Sequence, residues 1–186
     1  MHTTAHGPPA STLPECRDRG AQKRRRAGAG DHRRSAIGRA VHAVLQSVDL
    51  ATGAGLGDLC AGQAAAEGVL GREDIIAALC RSALDSPLVA QAARSEHWRE
   101  VYVGIPYGEG VQGYIDLLYR CEHGLVIVDY KTDSWRDATD LDQKVAHYRV
   151  QLDAYRTAVR EITGETRVDA NLLFLTPGEP ARTVPV

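Results

Sequence analysis

The chain has 186 residues, 44% hydrophobic and 25% charged, enough apolar material for one packed domain without calling for a second. No run approaches the roughly 18 uninterrupted apolar residues that cross a bilayer, and no apolar stretch of signal-peptide type opens the chain, so a soluble, cytoplasmic protein without a membrane is expected. The net charge of −2 hides an asymmetry: residues 1–34 hold eight Lys/Arg against three Asp/Glu, whereas residues 35–186 hold fourteen against twenty-one.

Residues 1–34 are rich in Gly, Pro and Arg with almost no large apolar side chains. Such a segment cannot offset its ordering entropy, so a disordered basic tail is expected ahead of a folded domain over 35–186. Its run KRRRAGAGDHRR reads either as a nucleic-acid-binding arm, since clustered Arg and Lys displace phosphate counterions, or as a solvated tail of no function. From residue 36 to 50, Ile37, Val41, Val44, Leu45 and Val48 recur at three- and four-residue spacing and predict an amphipathic helix. Further helices are expected at about 57–70, 73–84 (stopped by Ser86-Pro87) and 88–95. The stretches REVYVGIP, VQGYIDLLY and GLVIVDYK are β-branched, aromatic and separated by Gly-containing turns, which predicts a meander of three strands. A long helix follows at about 140–161, capped by Asp140 and stopped at Thr163-Gly164; VDANLLFLT is a last strand and TPGEPARTVPV a loose end. The helix between them lets the last strand pair parallel to its neighbour, giving an α/β fold with a mixed central sheet flanked by helices. The four cysteines, Cys16, Cys60, Cys80 and Cys121, lie far apart with no CxxC pair, so reduced structural thiols are expected rather than a zinc, disulfide or iron–sulfur framework.

The stretch GYIDLLYRCEHGLVIVDYKTD carries the chemistry. Strand alternation places Asp116 on one face with Gln112 and Tyr114, and Asp129 on one face with Lys131, with Leu125 and Ile127 behind them. Two carboxylates on adjacent apolar strands are costly unless a cation lies between them, which suits a divalent ion with oxygen ligands, Mg²⁺ or Mn²⁺. An ammonium at Lys131 would then orient a water or neutralise charge growing on a phosphoryl oxygen. The plainer reading is an Asp129–Lys131 salt bridge at a strand end with Asp116 in a turn.

Gly113-x-x-Asp116 followed by Val128-Asp129-Tyr130-Lys131-Thr132 resembles the PD-(D/E)xK nuclease signature, in the form found in RecB- and AddA-type nuclease domains attached to UvrD-class helicases. Gly38-x-x-x-His42 resembles that family's GxxxH motif, and Gln151-x-x-x-Tyr155, with Tyr148 one turn before, its QxxxY motif. The resemblance covers residues 36–175 and implies a restriction-endonuclease-like core. It implies that Asp116, Asp129, the Tyr130 carbonyl and His42 hold the metal and that Lys131 assists the attacking water. Tyr148, Gln151 and Tyr155, on one face of the long helix, are expected to hold the substrate strand, although they equally suit a core edge. Glu100 resembles a glutamate often present on the strand before the first aspartate, and reads as well as a surface charge. The function implied is a metal-dependent DNA nuclease of exonuclease type, the nuclease module of a helicase–nuclease repair or recombination system. The competing reading is an inactive nucleic-acid-binding or scaffold module of the same fold. Residues 1–34 carry no P-loop of GxxxxGK[ST] form, so either a freestanding nuclease or a fragment partnered by a separate helicase is expected.

Overall fold

The computed structural model describes residues 29–105 and 111–186. The predicted disordered tail therefore lies mostly outside the described residues. Five helices and five strands follow in the order α1 (Ala29–Ser47), α2 (Leu56–Ala66), α3 (Glu73–Leu84), α4 (Pro87–Ala92), β1 (His97–Ile105), β2 (Val111–Cys121), β3 (Gly124–Lys131), α5 (Ala138–Thr163), β4 (Val168–Phe174) and β5 (Arg182–Pro185). Among the described residues no helix is long and apolar enough to cross a membrane.

The strands form one sheet in the order β1-β2-β3-β4-β5, antiparallel except for β3 and β4. That parallel pair requires a crossover, and α5 supplies it. β3 is the central strand and is buried on both faces up to Tyr130, which is why GLVIVDY reads as an apolar run rather than an alternation. On one face Val126, Val128 and Tyr130 meet a layer built from α1 to α4; on the other Leu125 and Ile127 meet Leu152, Tyr155 and Ala158 of α5. The site residues of β3 thus stand where the strand emerges from between two packed layers.

Local chemistry sets the element ends. Asp137, not Asp140, is the N-cap of α5: its side chain accepts from the Asp140 N–H at 2.9 Å, while Asp140 accepts from the Arg136 N–H at 3.0 Å. The two aspartates satisfy backbone donors reciprocally, as in a capping box. Gly164 ends the helix in the left-handed conformation, as its sequence position indicates. α2 stops at Ala66, before the expected Leu70, where the Gly68 and Val69 amides turn back onto Ala65 and Ala64. The expected loose end instead contains β5, an edge strand pairing Arg182–Pro185 with Asn171–Phe174. Pro180 and Pro185 disguise it, and an edge strand tolerates them because one of its sides needs no donors.

Candidate active site

Three strands deliver carboxylates to one row of the sheet. Arg99 pairs with Leu117 and Val101 with Ile115, so Glu100 stands across from Asp116; Leu117 pairs with Val128, so Asp129 stands next in line. The regular alternation breaks at this row. Ile115 packs in the α5 layer and Leu117 in the α1 layer, although both are odd-numbered residues of one strand. β1 switches at the same level: Arg99 donates to Leu45 O (3.2 Å) and Val48 O (2.6 Å) at the end of α1, whereas Val101 packs with the α5 layer. Between them Glu100 has φ +52°, the sole positive value at a described residue other than glycine. A left-handed conformation at such a residue costs about 1–2 kcal/mol and is kept only where the surroundings enforce it. Here it turns the Glu100 carboxylate toward α1.

Beyond Leu117 and Val128 the β2–β3 ladder ends, and the Asp116 side chain takes over its bonding: Oδ2 accepts the Tyr130 N–H at 2.7 Å. Its other oxygen, Oδ1, accepts from His42 Nδ1 at 2.9 Å. A Cβ on Gly38, one turn before His42, would meet Thr132 Oγ1 at 2.9 Å, so glycine lets α1 lie this close without displacing the Thr132 side chain. The Tyr130 ring backs the imidazole edge-on at 6.0 Å. One ligand-capable atom from each of His42, Glu100 and Asp116 lies within 4.8 Å of the others, a donor set that suits one cation. Glu100 is the member of this group whose part the sequence left undecided. The three line a cleft of about 530 Å³ with Gly38, Arg39, Gln46 and Thr132, of which Arg39 is paired with Glu67 at 2.6 Å.

Asp129 and Lys131 lie toward α5. Lys131 Nζ sits 2.5 Å from Asp129 Oδ2 and 4.0 Å from the centroid of the Tyr148 ring, a cation–π contact. The Tyr148 hydroxyl donates to Asp133. Asp129 Oδ2 is buried and has no well-aligned hydrogen bond, the Lys131 ammonium being an ion-pair contact only. Burial first and the Asp116 charge second hold the Asp129 carboxyl above its ordinary range, against the pull of Lys131. Glu100 is raised for the same two reasons in the same order. Burial alone would lower His42, but the hydrogen bond and charge of Asp116 carry it above its ordinary value. The carboxylates therefore crowd one another, as groups do where a cation belongs between them.

Of the residues expected on α5, Tyr148 joins the site through Lys131. The Tyr155 ring is buried in the α5 layer, and its hydroxyl accepts from Gln151 Nε2 at 2.9 Å. That hydroxyl fills the space a Cβ on Gly113 would take, so the glycine of the first strand motif and the tyrosine of the helix motif are two halves of one packing contact. Gln151 is exposed beside them.

Similarity to known proteins agrees with this fold. The family model of the PD-(D/E)XK nuclease superfamily matches residues 17–184. The chain belongs to that superfamily. Among curated proteins, it is 31% identical over 165 residues to the A subunit of the ATP-dependent helicase/nuclease of Carboxydothermus hydrogenoformans, covering 75% of this chain and 14% of that protein. To the protein of the same name from Desulforudis audaxviator it is 34% identical over 170 residues, 75% of this chain and 13% of the other. A shorter match, 35% over 69 residues, links it to the Clostridium novyi protein of that name, covering 37% of this chain and 5% of that one. The chain thus spans about a seventh or less of the length of these relatives. In this PD-(D/E)XK nuclease-superfamily domain Glu100, Asp116, Asp129 and Lys131 stand on one mixed sheet, and His42 stands on the helix packed against it.

Proposed function

We propose that this chain is a metal-dependent DNA nuclease, the cleaving module of a helicase–nuclease system. The observation that carries the reading is the acidic row Glu100–Asp116–Asp129, closed by His42 on one side and Lys131 on the other. Asp116, Asp129, His42 and the Tyr130 carbonyl would hold Mg²⁺ or Mn²⁺, with Glu100 beside them. When bound, such an ion neutralises charge at the scissile phosphate and makes water a stronger nucleophile.

The chain's own residues prepare for it. Asp116 holds the His42 ring at the row: Nδ1 lies 2.9 Å from its Oδ1, so a cation bound there would take the two groups as neighbouring ligands. The Tyr130 N–H fixes Asp116 in turn. Tyr148 holds the Lys131 ammonium from below, leaving it beside Asp129 to meet the charge that grows on the phosphoryl oxygens. Gln151, steered by Tyr155, presents its amide to the DNA backbone.

The names of the relatives, all of them helicase/nuclease proteins, support a helicase as partner and DNA as substrate. Exonuclease action is the form we propose. Linear and covalently closed circular single strands of equal length, incubated with the full chain and Mg²⁺, test it. The linear strand should be shortened from an end while the circle stays intact; cutting of both at similar rates would replace the exonuclease with an endonuclease.

A further inference from the structure

Tyr102 and Tyr114 lie directly across from one another on β1 and β2. Their rings stand 5.4 Å apart, tilted by 59°, and the two side chains are 56% and 57% exposed. Alternation puts Tyr114 on the face of Asp116 and Tyr102 on that of Glu100. The pair is therefore two residues, about 7 Å, from the acidic row, roughly the reach of one nucleotide in an extended strand. A Cβ on Gly104 would meet the Tyr102 hydroxyl at 2.9 Å, so the ring lies along its own strand over a glycine, which leaves room for it there.

We propose that Tyr102 and Tyr114 are a base-stacking platform that seats an unpaired DNA strand next to the acidic row. The proposal rests on the nuclease reading and adds to it the kind of strand the site takes. Electrostatics favour this occupant. Residues 35–186 carry fourteen basic against twenty-one acidic residues, so phosphate attraction to the body is weak, and stacking, which needs no positive charge, is the attraction left to the site. A duplex keeps its bases in its own stack, so only an unpaired strand can lay a base on these rings.

Fluorescence anisotropy with the full chain in chelator, where no strand is cut, tests the platform. The probes are labelled oligo-dT, an abasic strand of the same length, and a duplex. The parent should bind oligo-dT more tightly than the abasic strand. Tyr102→Ala and Tyr114→Ala should each weaken oligo-dT binding about tenfold, leave duplex binding unchanged, and together abolish the preference for bases. Tyr102→Phe with Tyr114→Phe should keep it, because the ring stacks and the hydroxyl does not. Equal binding of oligo-dT and the abasic strand by the parent, a preference that survives both alanines, or its loss in the phenylalanine pair would overturn the platform. Cleavage of oligo-dT by the parent with Mg²⁺ is a separate readout: its absence counts against the nuclease reading, while the platform stands or falls on the preference for bases.

Discussion

Lys131→Ala is expected to slow DNA cleavage by about 10²–10³, the usual cost of removing one preorganised charge from chemistry of this kind. The ammonium has two contacts, Asp129 at 2.5 Å and the Tyr148 ring at 4.0 Å, and both hold it at the acidic row. Removing it also strips a buried carboxylate of its partner. Asp129 can answer by taking a proton, so the protein should stay folded with a stability loss of about 1–3 kcal/mol. Lys131→Arg separates the two duties. A guanidinium can restore the ion pair but is longer, planar and differently placed, so it should recover stability without recovering the rate. Single-turnover cleavage and thermal melting on the same variants decide the matter. A rate within about tenfold of the parent in Lys131→Ala would return the residue to a purely structural salt bridge.

Asp129→Asn should produce opposite signs in two measurements: cleavage lost, metal-free stability gained. Burial and Asp116 raise the Asp129 carboxyl to about 6 in the folded chain. A carboxyl whose folded value lies above its unfolded one binds its proton more tightly when folded, so stability falls as pH rises through that window. The charged form is thus the penalised one at neutral pH, and the neutral amide removes the penalty. A rise of a few degrees is expected, since 1 kcal/mol moves the melting temperature by about 2–4 °C in a chain of this size. The parent, free of metal, should itself become more stable between pH 7 and pH 5, and the variant should lose the share that Asp129 contributes, while His42 and Glu100, also raised in the folded chain, keep the rest. Added Mn²⁺ should reverse the order, raising the parent's melting temperature more than the variant's. A metal-free Asp129→Asn less stable than the parent at pH 7 would mean that the Lys131 pair outweighs the repulsion.

The parts of this fold that were legible share one property: a local signal that no tertiary contact opposed. β3 is found at its expected residues because Gly124 precedes an unbroken apolar run that only a central strand accommodates. Asp129 and Lys131, two apart on a strand, had to share a face, and they meet there. The features that were hidden depend on contacts between distant segments. Nothing in REVYV signals the left-handed Glu100, which follows from the anchoring of Arg99 to the end of α1 and the switch of Val101 to the opposite layer. Asp116 keeps the face of Tyr114, as alternation requires; the break between it and Leu117 arises in the same way as the turn at Glu100, where β2 leaves β3 and a side chain replaces the ladder. For Tyr155 the helical spacing of its motif suits a strand-holding residue and a core edge equally; the burial of its ring, for which Gly113 makes the room, depends on a distant segment that the spacing does not reveal. β5 escaped because its prolines are signals of loops everywhere except at a sheet edge.

On the function proposed above, the acidic row holds the divalent ion on which DNA cleavage depends. The most direct measurement is cleavage of end-labelled single-stranded DNA by the full chain across a Mg²⁺ series, beside a chelator control and the Asp116→Asn variant. The amide in that variant keeps the shape and the acceptor for the Tyr130 N–H but loses the charge that Asp116 gives the row. Cleavage should rise and saturate with Mg²⁺, vanish in chelator, and fall by at least about 10² in the variant. Cleavage in chelator, or a variant as active as the parent, would contradict that function.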